Sequence, residues 1–345
     1  MYIFRTDGNS VIGMGHVMRC LAIAAAMREK PLFVTACEDC LKLIEERGYR
    51  FILLPTDYRK MEEELPFLKN IVADSGASET EKAVFLVDSY QVTEKYFWAL
   101  KGLGVVACLE DMGKSYPVDL LINYNLYGPE TVYAEGLHTL LGVRYVPLRK
   151  EFIGNCDYKV REKVKNVLIT TGGGDPLFSA AGFLEAFLET EEKNGDGDII
   201  FHVISGPMNR YSGELKAGYG AHPYVRIYEN VTDIKEIMCR CDVALTAAGS
   251  TVYEISSLGI PMICFYFAEN QRRGAEYLAK KTDIVNAGNY AEDATGTINR
   301  ACLALRRCIS EYEYREKLWK QERRLVDGQG AIRIAEELRI AKETV

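Results

Sequence analysis

The chain has 345 residues, of which 48% are hydrophobic and 26% charged, a composition typical of a globular protein with a sizeable core. Its length suggests two domains. Its net charge of −7 argues against general binding to nucleic acid or to an anionic membrane. No apolar run is long enough to span a membrane and no signal peptide is evident, so we expect a cytoplasmic protein.

The first predicted strand, residues 2–5, is followed by a polar turn (6–10) and a glycine loop that opens a helix of good helix formers, 21–28. Gly13 and Gly15 lie in this loop, which lets backbone approach a ligand at a helix N-terminus, and His16 lies in the loop or in the first turn of the helix. His16 can take a proton from water, and Arg19 adds a positive charge on roughly the same helix face. The alternative is a tight turn with a capping or packing histidine. A dinucleotide fingerprint fails, because Met18 stands at the third glycine position.

Residues 1–155 are predicted to form a first Rossmann-like domain. Apolar strands at 32–36, 51–54, 83–87, 105–109 and 120–123 alternate with helices at 41–48, 61–74 and 93–103, which indicates a parallel sheet covered on both faces. Asp88, Asp111 and Asn123 follow strand ends, where ligands bind in such sheets. Each of the three either faces the cleft or makes a cap or turn.

A polar segment, 154–165, is the predicted linker to a second Rossmann-like domain at 163–300. This domain repeats the pattern of strand, glycine loop and helix, with strands at 166–170, 199–204, 225–228, 243–245 and 262–266. Predicted helices cover 179–189, 231–241, 252–258, 271–281 and 297–318. The last helices, within 301–345, either pack back on the domains or support another partner.

Two loops of the second domain are suited to anions. Gly172, Gly173 and Gly174 allow backbone N–H groups to converge on a phosphate. Gly249, Ser250 and Thr251 precede a helix, and Glu254 one turn later can accept hydrogen bonds from a ribose diol. The alternative for this second motif is a capping box.

The ten cysteines are scattered, and we expect free thiols that pack as small hydrophobes. Cys37-x-x-Cys40 and Cys239-x-Cys241 are a weak indication of zinc, because no second CxxC follows at a regular interval.

An ordered set of motifs resembles the pseudaminic-acid pathway hydrolases that act on UDP-2,4-diacetamido-2,4,6-trideoxy-β-L-altropyranose, relatives of the glycosyltransferase that forms lipid II. The motifs extend over residues 1–285 and are Arg5-x-Asp7, Gly13-x-Gly15-His16-x-x-Arg19, Val87-Asp88-x-Tyr90, Gly142-x-x-Tyr145-x-x-Leu148-Arg149-x-Glu151-Phe152, Gly172-Gly173-Gly174-Asp175, Gly249-Ser250-Thr251-x-x-Glu254, Leu258-Gly259-x-Pro261 and Glu269-Asn270-Gln271. Ala247-Ala248 replace the family's usual paired glycines, and no motif matches beyond about residue 300.

The resemblance implies an α/β GT-B-like fold, with two Rossmann-like domains facing across a cleft. It implies hydrolysis of the sugar–UDP bond by water attack at the anomeric carbon, with no metal and no cofactor. His16 would be the general base, and Arg5, Arg19 or lysine side chains would assist with charge. The implied substrate and UDP contacts are Gly15, Arg19, Asp88, Gly173, Gly174, Gly249, Ser250, Thr251, Glu254, Asn270 and Gln271.

The partner is thus expected to be a small-molecule UDP-sugar, with no nucleic acid and no membrane insertion, and the protein a monomer or weak oligomer. Two alternatives stay open. One is a GT-B glycosyltransferase that moves a sugar from UDP to an acceptor, and the other is a non-catalytic nucleotide-sugar-binding protein that does not need His16.

Overall fold

The computed structural model describes residues 1–9, 11–74, 82–153, 158–194, 199–229, 231 and 233–344, without the side chains of 191–194. These residues divide into two compact units. The first comprises Met1–Lys150 together with Gly328–Val345, and the second comprises Glu151–Asp327. Of the predicted linker, 154–157 and with it Cys156 lie outside the described residues. The described remainder packs in the second unit, where Tyr158 and Arg161 bond to Asp242.

The first unit is built on a seven-stranded parallel sheet in the order β3-β2-β1-β4-β5-β6-β7. Its central strands are buried along their whole length, as expected for a sheet covered on both faces. The strands are β1 (Tyr2–Thr6), β2 (Leu32–Thr35), β3 (Phe51–Leu53), β4 (Ala83–Asp88), β5 (Gly104–Leu109), β6 (Leu120–Asn123) and β7 (Thr139–Leu141). The helices are α1 (Gly15–Ala26), α2 (Leu41–Glu46), α3 (Leu65–Asp74) and α4 (Glu94–Lys101).

The second unit is built on a six-stranded parallel sheet in the order β10-β9-β8-β11-β12-β13. Its strands are β8 (Asn166–Thr170), β9 (Ile200–Ser205), β10 (Val225–Glu229), β11 (Val243–Ala247), β12 (Met262–Tyr266) and β13 (Val285–Asn289). Its helices are α5 (Ser179–Asn194), α6 (Ser212–Tyr219), α7 (Ile234–Arg240), α8 (Thr251–Leu258), α9 (Glu269–Lys281), α10 (Ala294–Ser310) and α11 (Tyr312–Leu325). The predicted α/β architecture with two parallel sheets is therefore confirmed.

The last helix, α12 (Gly330–Thr344), belongs to the first unit although it follows the second in sequence. Arg333 donates to the carbonyl of Arg144 at 2.7 Å, and Lys342 lies 3.1 Å from a Glu29 carboxylate oxygen and 4.9 Å from the centre of the Tyr2 ring. The C-terminal segment therefore completes the unit in which the chain begins.

The sequence-based prediction missed three elements and merged two others. The missed elements are β7, β13 and α6, each of which is short or rich in glycine and polar residues. The helix predicted over 297–318 is two helices, α10 and α11, separated at Glu311, whose backbone is extended (φ −112°, ψ 97°). Helix α1 begins at Gly15, so that His16 lies in its first turn.

Candidate active site in the first unit and anion-binding loops in the second

The candidate catalytic residues gather where the strand order of the first sheet reverses direction. Strand β1 pairs with β2 on one side and with β4 on the other. The chain adds β2 and β3 on the first side of β1 and then adds β4 to β7 on the other side. Loops that follow two such strands diverge and leave a crevice at their carboxyl ends. The loop after β1 leads to His16 in α1, and β4 ends at Asp88.

His16 and Asp88 form a close buried pair. The Nδ1 atom of His16 lies 2.6 Å from Oδ1 of Asp88, and the residues are 6% and 1% exposed. Burial by itself would raise the pKa of Asp88, but the charges and hydrogen bonds of Arg19 and His16 hold that pKa well below its usual range. An ionised carboxylate only accepts, so we assign the proton to Nδ1 of the imidazole. The other nitrogen, Nε2, is bonded to no described residue.

Arg19 binds the same carboxylate from the other side. Its Nε donates to Oδ2 of Asp88 and its Nη2 to Oδ1, each at 2.5 Å, and Nη1 donates to Asp111 at 3.1 Å and to the hydroxyl of Tyr124 at 2.9 Å. The Arg19 side chain is 11% exposed. Because these donors are directed at protein acceptors, the geometry favours an internal role for Arg19 over the predicted contact with substrate.

A pocket opens beside His16. Ile12 in its lining is held by the Asn9 side chain, which accepts hydrogen bonds from the backbone of Val11 and Ile12, and the next residue, Gly13, adopts a left-handed φ of 74°. An added Cβ at Gly15 would meet nothing within 4 Å, so the backbone there is open to a ligand. The lining residues are Asp7, Ile12, His16, Tyr58, Asp88, Ser89, Tyr90 and Gln91.

Tyr90 is part of this site, although the sequence argument gave it no role. Its ring packs edge-on against His16 with centroids 4.7 Å apart, and its hydroxyl donates to Asp111 at 3.1 Å. The motif Asp88-x-Tyr90 was the available signal. Tyr124 had none, because it reaches Arg19 from a loop 105 residues away in sequence.

The three strand-end residues have different roles. Asp88 and Asp111 join the His16 and Arg19 cluster. Asn123 organises its own turn: its Oδ1 accepts from the backbone of Asn125 and its Nδ2 donates to the hydroxyl of Tyr133 at 2.7 Å. For Asn123 the turn interpretation is therefore the correct one.

Arg5 does not assist with substrate charge, which corrects that expectation. Its guanidinium is completely buried, donates twice to Glu64 at 2.7 Å and donates to Asp7 at 2.6 Å. Asp7 also accepts from the hydroxyl of Thr35 and from the backbone of Ala36. The Arg5-x-Asp7 motif is thus an internal ion-pair network that fixes the loop after β1.

In the second unit the reversal of strand order falls between β8 and β11, and both predicted anion-binding loops follow these strands. Gly172 has a left-handed φ of 83°, and an added Cβ there would lie 3.8 Å from the hydroxyl of Thr251, so the two loops meet. An added Cβ at Gly173 would meet nothing within 4 Å, and at Gly174 its nearest neighbour is Met208 at 3.5 Å.

A glycine that the sequence argument missed supports this loop from the next strand. A Cβ at Gly206, directly after β9, would lie 2.2 Å from the carbonyl oxygen of Gly172. In addition, the backbone N–H of Met208 donates to the carbonyl of Gly173 at 2.9 Å. Asp175 is buried and accepts from the backbone of Ser179 and Ala180, so it caps α5.

Ser250 precedes α8 but makes no side-chain capping bond, so the capping-box interpretation fails for its hydroxyl. Thr251 begins the helix and Glu254 lies one turn later, half-buried. Gln271, in the first turn of α9, accepts from the backbone of Phe267, and its Nε2 would lie 4.0 Å from a Cβ at Gly249. Asn270 is exposed beside it.

The nine cysteines among the described residues are free thiols. In the same part of the chain, no three or more His, Cys, Asp and Glu side chains are grouped as metal ligands. The helices that the structure describes include none that is long and apolar enough to span a bilayer.

No protein-family model matches the chain. An uncharacterized protein of Methanocaldococcus jannaschii is 29% identical over 80% of this chain, which spans 57% of that protein. The UDP-2,4-diacetamido-2,4,6-trideoxy-beta-L-altropyranose hydrolase of Campylobacter jejuni is 24% identical over 81% of this chain and 96% of its own length. A Helicobacter pylori protein named pseudaminic acid cytidylyltransferase and hydrolase of the same UDP-sugar is 26% identical over 75% of this chain and 43% of its own length.

Solved structures match the fold over nearly the whole chain. MurG of Acinetobacter baumannii superposes with a TM-score of 0.67 at 13% identity and covers 98% of this chain and 99% of its own. UDP-GlcNAc 2-epimerase of Neisseria meningitidis superposes with a TM-score of 0.64 at 13% identity and covers 99% and 100%. These are GT-B proteins, so the predicted fold class is confirmed. The chain is thus similar in sequence to proteins named as hydrolases of this UDP-sugar and similar in fold to GT-B enzymes, which confirms the resemblance indicated by its motifs.

Proposed function

We propose that this protein is a UDP-sugar hydrolase that releases UDP from UDP-2,4-diacetamido-2,4,6-trideoxy-β-L-altropyranose in pseudaminic acid biosynthesis. The observation that carries the proposal is the His16–Asp88 pair, in which Nδ1 is held by a carboxylate 2.6 Å away while Nε2 is left for a proton. The named activity of the Campylobacter and Helicobacter relatives supports the choice of substrate.

In the proposed reaction His16 acts as the general base. Its Nε2 takes a proton from a water molecule as the water oxygen forms a bond to the anomeric carbon. The bond between that carbon and the β-phosphate oxygen breaks, and its electron pair leaves with UDP. Asp88 holds the ring in position and stabilises the imidazolium that forms. The sugar is released as a free reducing sugar.

The loops of the second unit are proposed to bind UDP. Backbone N–H groups at residues 172–174 and 249–251, together with the hydroxyls of Ser250 and Thr251, would hold the diphosphate, and Glu254 the ribose. Asn270 and Gln271 would contact the junction of diphosphate and sugar. Helix N-termini attract negative charge, so they would also favour UDP as a leaving group, and the proposed mechanism involves no metal ion.

The experiment is to incubate the purified full chain with the UDP-sugar in ¹⁸O-labelled water, with EDTA and without any acceptor. We expect UDP and reducing sugar in equal amounts, with the label in the sugar. Label in UDP would show that the P–O bond breaks and would contradict attack at the anomeric carbon. Release only after an acceptor is added would establish a glycosyltransferase, and binding without turnover would establish a binding protein.

UDP-N-acetylglucosamine is the matched control substrate, since it shares UDP and differs in the sugar. We expect much slower release of UDP from it. Equal rates for the two substrates would contradict the proposed sugar while keeping the class of reaction.

A further inference from the structure

Arg19 has a position that the general-base mechanism does not explain. Its Nη2 lies 3.1 Å from Nδ1 of His16, while Oδ1 of Asp88 lies 2.6 Å from the same nitrogen. Since the proton on Nδ1 points to the carboxylate, the contact between Arg19 and His16 is between two donors and is not a hydrogen bond. The structure therefore holds a fixed cation against the ring of the candidate base.

The charges around this ring oppose one another. Asp88 alone, buried and ionised, would strongly favour a protonated imidazole, and a protonated His16 cannot accept a proton from water. Arg19 offsets this charge through two hydrogen bonds to Asp88 and disfavours a second positive charge next to its own guanidinium. Asp111 in turn partly offsets Arg19 at 3.1 Å.

Asp7 and Tyr90 also line the pocket beside His16. Asp7 is paired with Arg5, and burial followed by the charge of Asp111 raises the pKa of Tyr90, which keeps its hydroxyl neutral. Burial also raises the pKa of Tyr124, so that its hydroxyl stays neutral. The groups that face His16 or its partners from the surrounding elements are Asp7 after β1, Arg19 and Cys20 in α1, Tyr58 after β3, Asp88 and Tyr90 at the end of β4, Asp111 after β5 and Tyr124 after β6.

We infer that Arg19 is a positioning residue that holds His16 with its proton on Nδ1 and leaves Nε2 able to act as a base. Arg19 does so by neutralising Asp88 and by fixing which carboxylate oxygen the ring meets. This inference deepens the proposed function and rests on it for its catalytic meaning, but the ring's protonation can be measured without substrate.

The test is an NMR titration of histidine-labelled protein without substrate. The chain has four histidines, so the His16 resonance is identified by its loss in His16→Asn. In Arg19→Gln we expect the His16 titration midpoint to rise by about one pH unit or more, since an opposite charge then acts uncompensated. Asp111→Asn removes the carboxylate that offsets Arg19, and we expect a smaller shift in the opposite direction.

The matched control is Arg28→Gln, which removes an exposed positive charge two residues beyond the C-terminal end of α1. We expect no shift in that variant. An unchanged midpoint in a folded Arg19→Gln protein, or an upward shift in Asp111→Asn, would overturn the inference. Should Arg19→Gln fail to fold, the sign of the Asp111→Asn shift decides.

Kinetics separate this inference from the proposed function. The acid limb of the kcat/KM profile is expected to move with the NMR midpoint in each variant, with kcat lowered and KM little changed in Arg19→Gln. An NMR shift without any UDP release by the wild-type protein would contradict the proposed hydrolase while leaving the electrostatic role of Arg19 intact.

Discussion

Each unit buries one histidine to the same extent, yet the two side chains are bound in different ways. His16 and His202 are both 6% exposed. His202 lies in β9, where Tyr228 and Asn166 occupy both ring nitrogens at 3.0 and 2.9 Å, and no carboxylate of the described residues is bonded to the ring. His16 has a carboxylate on one nitrogen, no described partner on the other, and a pocket beside it. Burial alone therefore does not distinguish the two histidines, whereas an ionised partner and an open nitrogen make His16 the candidate base.

The same contrast extends to the two candidate sites. The first unit brings charged side chains together, whereas the second offers glycine loops and helix N-termini with hydroxyl groups. Side-chain charges suit proton transfer, and backbone N–H groups suit the binding of an anion.

After the replacement of His16 itself, the largest effect is expected from Asp88→Asn. An amide at this position can present its N–H to His16 or accept from it without charge, so the imidazolium loses its stabilising partner. We expect kcat to fall about a thousandfold, within the range for general acid–base catalysis. Steady-state kinetics measure kcat, and circular dichroism shows whether the variant is folded. A folded variant with wild-type kcat would contradict the role of Asp88.

Stability should respond most to Glu64→Gln. This change leaves the buried Arg5 guanidinium with one carboxylate fewer, and breaking a buried ion pair by removing one partner costs about 3 kcal/mol or more. The control is Glu63→Gln, an exposed neighbour paired with Lys60, for which the expected cost is below about 1 kcal/mol. Urea unfolding of both variants gives the comparison. Equal costs would show that the Arg5 network does not stabilise the first unit.

Substrate affinity should respond to Gly249→Ala in the second unit. The added methyl meets only Gln271, at 4.0 Å, so the fold tolerates it, but it occupies space where backbone would approach the diphosphate. We expect KM to rise about tenfold, which corresponds to about 1.4 kcal/mol, with kcat and melting temperature little changed.

The control for this effect is Gly213→Ala in α6, where an added Cβ also meets nothing within 4 Å. Its KM is expected to equal that of the wild type. A normal KM in both variants would place the diphosphate elsewhere.

The smallest effect concerns pH and His202. Burial, followed by the charges of Arg226 and Arg240, lowers the pKa of His202 below its ordinary value of 6.5. The unfolded chain binds this proton more readily than the folded protein does. The contribution of His202 to the free energy of unfolding is therefore fully present above pH 6.5 and is lost as the pH falls below it.

This loss has an upper limit of about 1.4 kcal/mol per pH unit for one group. Urea unfolding between pH 7.5 and 5.5 measures it, and His202→Gln should show a shallower decline than the wild type. Identical slopes would mean that His202 does not contribute to acid destabilisation.

The sequence predicted the parts of the molecule that local pattern determines. Short apolar runs gave the central strands of both sheets, and the glycine loops were placed correctly at strand ends because glycine spacing is a local signal. The edge strand β13, Val285–Asn289, was missed because its residues are mostly small and polar.

Contacts between side chains far apart in the chain could not be predicted from the sequence, for a different reason. Arg5 and Arg19 look alike in sequence, as cations near the glycine loop. Their partners come from 59, 69, 92 and 105 residues away, and only the sheet order brings Glu64 to one and Asp88, Asp111 and Tyr124 to the other. The roles of both arginines therefore followed from the structure alone.

His16 is the proposed base for UDP release, a role that burial of a histidine alone does not confer. The most direct measurement compares His16→Asn with His202→Asn under identical conditions, with UDP and reducing sugar quantified for each folded protein. We predict that kcat falls by about 10²- to 10⁴-fold in His16→Asn and is unchanged in His202→Asn. Wild-type release of UDP by His16→Asn, or an equal loss in both variants, would contradict the claim.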